Sequence, residues 1–377
     1  MPINPNIKKI LLEIKNVRIK NGITPEELES NLFLGKGWIS ALEEGEINPP
    51  FDLMLSVIDF LNVDLKTIIS KIKFDDAQSL NRLITAQQDG NNIKCLFRYG
   101  KSEAEYIIKN SSVEIFDELL SAFRRKINES KTAKTNAVID TFFKAIELFP
   151  HINPSDIWYF IIPRIFQDAY NHPVTDINTD FGQSWKRTGG WALEKIFVEY
   201  YKIGLAKHNI LIDIFQEKNK TDLLDKMRLS YKVQPNKADV LLVNTKNGKY
   251  DCFGVVHIKA SFAERRSSDQ SFSTALMQKQ FFSPFMTMDC KATPSKHPIN
   301  KGELGDVYDA AKDKRSNKRK EFEEEGYFSA CFSFNLNTKP TPHSQKATAR
   351  IFAMKFSSLN DEFIRMTVRE RDRFYGE

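Results

Sequence analysis

The stretch 235–259 commits the chain to a buried β-hairpin. Asp239 heads the apolar run Val240-Leu241-Leu242-Val243, and Asn247-Gly248 supplies a strong two-residue turn signal. The chain then returns through Val255-Val256-His257-Ile258-Lys259. Side chains alternate across a strand, so His257 and Lys259 share a face, and the hairpin brings Asp239 beside them. A carboxylate and an ammonium group on adjacent strands suit metal-assisted hydrolysis of a phosphodiester. The acid holds a hard divalent cation through oxygen, and the amine orients water and adds positive charge where negative charge develops. The same residue types are ordinary at strand ends, so the pair needs support from elsewhere in the chain.

Support comes just beyond the lysine, where Glu264 and Arg265 lie five and six residues on. Arginine can bond O6 and N7 of one guanine, and glutamate accepts from cytosine N4, so together they can read a C·G pair. With Asp239 and Lys259, this spacing resembles the PD-(D/E)xK nucleases, in particular the CCGG-recognising restriction endonucleases of the BsaWI/AgeI group. His257 stands where the general pattern has an acid two residues before the lysine. In this group that acid is often supplied from elsewhere, and Arg187 and Glu194 reproduce a seven-residue interval seen in the group. On helical spacing alone Glu199 would serve as well as Glu194.

The resemblance implies that Glu194 and Asp239 hold Mg²⁺, that Lys259 completes the catalytic set, and that Arg187, Glu264 and Arg265 read bases. It implies a type II restriction endonuclease that cuts double-stranded DNA at a palindrome with a CCGG-type core and leaves 5′-phosphate ends. A homodimer, or a tetramer on two sites, is expected. The expected catalytic domain is 151–377, an α/β fold with a restriction-endonuclease-like mixed central sheet flanked by helices. Further strands are expected over 281–290, 327–335 and 350–356.

The first 74 residues read as an all-α unit. Ile7, Ile10, Leu11, Ile14 and Val17 recur at helical spacing, and Thr24-Pro25-Glu26-Glu27 is a capping box with proline at the first helical position. Gly35-Lys36-Gly37 breaks the chain before a helix that runs from Trp38 toward Gly45. This order resembles the Cro/repressor-type helix-turn-helix domain, although Glu43 and Glu44 in the second motif helix argue against its lying on phosphates. Residues 75–150 are expected to form a mostly helical connector, from the spacing of Ile115, Phe116, Leu119, Leu120 and Phe123. The alternative to a nuclease is a transcriptional regulator whose head reads DNA and whose larger domain only senses or dimerises.

Composition narrows the setting. Residues 1–80 hold 9 Lys/Arg and 12 Asp/Glu, and the rest hold 46 and 37, so the positive excess sits on the larger part, as a polyanionic partner would favour. Cys95, Cys252, Cys290 and Cys331 form no Cys-x-x-Cys pair, which argues against a zinc ribbon and for reduced thiols. No apolar run reaches the roughly 18 residues that a membrane span requires, so a cytoplasmic location without membrane attachment is expected. The basic run 309–320 is expected to be helical, either solvated or holding phosphates. His151, His172 and His208 lack metal-ligand spacing, and Asp269 and Ser261 are left without a role.

Overall fold

The computed structural model describes residues 5–47, 49–71, 82–99, 102–129, 133–173, 179–229, 237–248, 250–262, 266–291, 298–309, 311–358 and 360–376. The chain divides into two compact units, Met1–Arg82 and Leu83–Glu377.

The first unit is five helices: α1 (Pro5–Lys20), α2 (Pro25–Asn31), α3 (Trp38–Glu43), α4 (Phe51–Phe60) and α5 (Leu65–Lys71). The capping box forms at α2: the Glu27 N–H donates to the Thr24 hydroxyl at 3.1 Å, and the Thr24 N–H donates to the Glu27 carboxylate at 2.8 Å. Gly37, at φ 90°, takes the left-handed turn into α3 that a side chain would resist. Ile14, Leu28, Ile39, Val57, Ile58, Leu61 and Ile68 form the core. Beneath α3, Arg18 grips Glu43 with two bonds of 2.6 and 2.8 Å, both side chains being nearly buried. Glu29 accepts the Ile39 N–H at 2.9 Å.

The second unit opens with a sheet, which corrects the expectation of a helical connector over 75–150. Strands β1 (Ile84–Asp89), β2 (Asn92–Tyr99) and β3 (Ser102–Ile108) pair antiparallel in order. The physical reason is a period of two: Ile93, Cys95 and Phe97 are buried while their neighbours are less so, and Asp89-Gly90-Asn91-Asn92 closes the first hairpin, with Gly90 at φ 58°. Helices do follow, α6 (Val113–Ile127) and α7 (Lys134–Leu148), with the expected apolar face on α6. A boundary at residue 150 does not hold either, because one continuous core runs from Ile84 to Ile364.

After the single turn α8 (Pro154–Asp156) and a π-helical segment (Ile157–Ile161) come α9 (Ile162–Gln167) and the 26-residue α10 (Phe181–Ala206), capped by the Asp180 carboxylate. The central sheet follows: β4 (Ile210–Asp213), α11 (Glu217–Lys226), β5 (Val240–Asn244), β6 (Asp251–Lys259), α12 (Arg266–Gln278), β7 (Phe285–Thr287), α13 (Asn317–Lys320), β8 (Cys331–Ser333), β9 (Ile351–Ala353) and α14 (Glu362–Tyr375). Its six strands lie in the order β4-β5-β6-β7-β8-β9, antiparallel up to β6 and parallel from there on. This is the mixed sheet expected from sequence, with each of the last three strands shorter than its apolar run. Gly254 in β6 admits the neighbouring chain: a Cβ there would stand 2.6 Å from the Phe282 carbonyl oxygen.

The basic run 309–320 is helical only over α13, and two of its arginines turn inward. Arg315 bonds Asp313, Glu323 and Glu324, and fully buried Arg319 bonds Glu323 at 2.9 Å. These arginines brace the fold and do not form a free phosphate-binding face. All four cysteines are buried and none forms a disulfide, and no described helix is long and apolar enough to cross a membrane.

Candidate active site

The β5–β6 hairpin pairs Val240 with Val256, which sets Asp239 level with the end of β6. The Asp239 Oδ2 atom accepts the Ile258 N–H at 2.9 Å and the Lys259 Nζ at 2.7 Å. Both donors fall on Oδ2, which leaves Oδ1 to face a ligand. Asp269, on the first turn of α12, reaches the same ammonium at 3.4 Å and is nearly buried. Burial works to lower the pKa of Lys259, but the two carboxylates outweigh it and hold the amine protonated.

Glu194 reaches this group from α10. It and Lys259 line one cleft of about 780 Å³, walled by Trp158, Tyr159, Arg164, Gln167, Trp185 and Gly190 among others. Burial, followed by the charge of Asp239, pushes the Glu194 carboxyl up to about 7, against the pull of Lys220 and Lys259. Glu199 points elsewhere: it is exposed and paired with Lys202. The tie on helical spacing is therefore broken in favour of Glu194.

Lys220, on α11, is a member of this group that the sequence reading missed. Its nearly buried ammonium donates to the backbone carbonyls of Ala238 and, at 3.3 Å, of Asp239. Burial lowers its pKa, and Glu194 and Asp239 oppose that. His257 is fully buried between the rings of Phe272 and Phe328, with Nε2 3.0 Å from the Ser283 hydroxyl. Burial pushes its pKa down to about 4, so it is a neutral core residue.

Arg187 does not line the cleft. It stands exposed on α10 with its guanidinium 4.9 Å over the ring of Trp191, one turn on and itself half exposed. Glu264 and Arg265 lie outside the described residues. His172 is a core residue stacked on Phe181, and His151 and His208 are exposed, as their spacing suggested.

The donor set fits a hard divalent cation. Burial, and after it the charge of Asp239, raises the Glu194 carboxyl to about 7, and a cation shared between the two acids would favour its ionised form. Among the described residues no three or more His, Cys, Asp or Glu side chains gather as a metal cage. Mg²⁺ takes one or two protein carboxylates and completes its shell with water and substrate phosphate oxygens, and Glu194 and Asp239 could supply those two.

The mixed sheet is that of the restriction-endonuclease-like fold, and an acid, an amine and a helical carboxylate gathered at one end of it suit the hydrolysis of a phosphodiester. Residues 212–358 match the family BsaWI restriction endonuclease type 2. The type II restriction enzyme AgeI of Thalassovita gelatinovora is 34% identical over 268 residues, which span 69% of this chain and 92% of that enzyme. A crystal structure of the specific AgeI–DNA complex superposes with a TM-score of 0.65 at 31% identity, covering 74% of this chain and 99% of that one. A pre-specific BsaWI–DNA complex gives a TM-score of 0.36 at 17% identity over 70% and 94%. The chain belongs to the AgeI family of type II restriction endonucleases, and it is accordingly a site-specific deoxyribonuclease. The regulator alternative, with its non-catalytic larger domain, falls with this finding. Type II restriction endonucleases generally use Mg²⁺.

Proposed function

We propose that this enzyme makes Mg²⁺-dependent double-strand cuts in DNA at a palindrome with a CCGG-type core, through a PD-(D/E)xK-type site formed by Glu194, Asp239 and Lys259. The observation that carries this reading is the convergence of these three side chains from two separate parts of the sequence. Asp239 and Glu194 would hold the cation, which supplies Lewis acidity toward the scissile phosphate and its attacking water. Lys259 keeps its proton at Nζ, orients that water and offers positive charge to the phosphate oxygens as they gain negative charge. Lys220 fixes the two carbonyls that flank the Asp239 Cα, and so sets the direction of the Asp239 carboxylate. The products carry 5′-phosphate and 3′-hydroxyl ends.

Base reading falls to Glu264 and Arg265 for one C·G pair and to Arg187 for the other, which Trp191 holds ready in the free enzyme. A palindromic target calls for two-fold symmetry, so the cutting species is a homodimer, or a tetramer when two sites are bridged. The five-helix head is a helix-turn-helix module with α3 as its second motif helix. Glu43 no longer counts against it, because its carboxylate is spent on Arg18 inside the head.

Supercoiled plasmid incubated with and without Mg²⁺ tests the whole reading, followed by mapping of the fragment ends. Discrete fragments with CCGG at each end, lost with Glu194→Gln, Asp239→Asn or Lys259→Met, are the expected result. Full cleavage by any of these variants refutes the site.

A further inference from the structure

Gly190 sits in the middle of α10, one helical turn before Glu194, and its backbone is helical. Glycine in a helix interior is normally tolerated for one of two reasons, a left-handed backbone or a close neighbour. Neither applies: Gly190 lacks a positive φ, and a Cβ built on it meets no protein atom within 4 Å. The contrast is next door, where a Cβ on Gly189 would stand 3.1 Å from the Trp185 ring. A side chain at 189 would crowd the Trp185 ring, but the fold gives no such reason for Gly190, which weakens a helix that alanine would strengthen. Gly190 opens onto the cleft that Glu194 and Lys259 line.

We propose that Gly190 is a clearance position: its bare backbone leaves room for the sugar-phosphate backbone of the DNA strand being cut as that strand passes Glu194. This rests on the assignment of Glu194 to the cutting site. The strand runs close against α10 between Gly190 and Glu194, and any side chain at 190 pushes its phosphate away from Lys259. The glycine is thus a cost to stability kept for the substrate, and the two properties should move in opposite directions when it is replaced.

The test is a graded series, Gly190→Ala and Gly190→Leu, in the full-length enzyme. Both are better helix formers, so the melting temperature of the free protein should rise by about 1–3 °C in both. Affinity for a duplex carrying the site mapped from plasmid fragments should fall about tenfold in the alanine variant and further in the leucine variant, in line with side-chain size. Variants that melt higher yet bind and cut that duplex at the wild-type level overturn the proposal, as does a lowered melting temperature, which would mean that the fold itself needs the glycine. Glu194→Gln is assayed alongside. If it cuts normally, the site assignment has failed; if it is inactive while Gly190→Leu cuts normally, only the clearance inference has failed.

Discussion

Replacing Arg18 by methionine separates what the head does from what the nuclease does. The Arg18 guanidinium lies 2.6 and 2.8 Å from the two carboxylate oxygens of Glu43 and also donates to the Ile23 carbonyl at 2.6 Å. Both side chains are almost wholly out of water, so methionine leaves Glu43 buried without a cation, a change that costs about 3–5 kcal/mol. A helical unit of this size rarely has more than about 3–5 kcal/mol to lose, so the head should be largely unfolded. At about 1.4 kcal/mol per factor of ten, amide exchange in α1 and α3 should quicken roughly 100- to 5,000-fold, up to the unfolded limit. The Ile39 amide, bonded to Glu29, is a convenient reporter. Hydrogen–deuterium exchange by mass spectrometry reads this directly, with amides of the β5–β6 hairpin as the internal control. Pairing Arg18→Met with Glu43→Leu removes the stranded charge and should restore most of the protection. The single variant also reports on function: an unfolded head should weaken DNA binding while the chemical step of bound substrate proceeds at its usual rate. If α1 and α3 exchange less than tenfold faster in Arg18→Met, the buried pair is not what holds the head together, and this reasoning is refuted.

Three further outcomes are expected. Lys220→Met removes the donor that fixes the Ala238 and Asp239 carbonyls, so the Mg²⁺ concentration for half-maximal cleavage should rise about 10- to 100-fold; an unchanged Mg²⁺ dependence means that the contact does not set Asp239. His257 is held neutral by burial, at about 4 against 6.5 in the unfolded chain, so the unfolded chain takes up a proton that the native one refuses as pH falls between those values. Stability should drop by about 3 kcal/mol across that window in urea titrations, and His257→Gln should drop by about that much less; an equal drop in both proteins refutes it. Arg187→Ala should weaken binding to the mapped site by about 1–3 kcal/mol and leave binding to unrelated duplex nearly unchanged, whereas equal losses on both would assign Arg187 to phosphate contact instead of base reading.

Legibility in this sequence tracked how local each interaction is. The hairpin carrying Asp239 and Lys259 is written in 21 consecutive residues with a turn signal between the strands, and the structure has the two side chains bonded. Glu194 was reachable only by the resemblance, because α10 offers Glu199 at an equally good spacing and only tertiary packing separates the two. Lys220 left no trace: it acts on backbone carbonyls, which carry no residue identity, from a helix that reads as solvated. The sheet β1–β3 was hidden by polar strands such as Ile84–Asp89, yet Asp89-Gly90 is itself a hairpin signal that the helical spacing of the next segment overshadowed. The runs over 281–290, 327–335 and 350–356 were read as long strands but pair over only three residues each.

On the proposed site, the position of His257 accounts for a second acid drawn from a distant helix. His257 and Lys259 share a face of β6, but the two places on that face differ: Lys259 ends the strand at the mouth of the cleft, while His257 lies beneath α12 among Phe272, Phe328 and Ser283. A carboxylate at 257 would have the Ser283 hydroxyl as its partner there and no water, so burial would keep it protonated and of little use to a cation. Glu194 meets the burial problem only in part, its carboxyl being raised to about 7. It is partly open to the cleft and lies within the field of two ammonium groups, and it needs only a cation beside Asp239 to be ionised at neutral pH. The departure from the usual spacing therefore moves the acid out of the core to a helix that borders the substrate cleft.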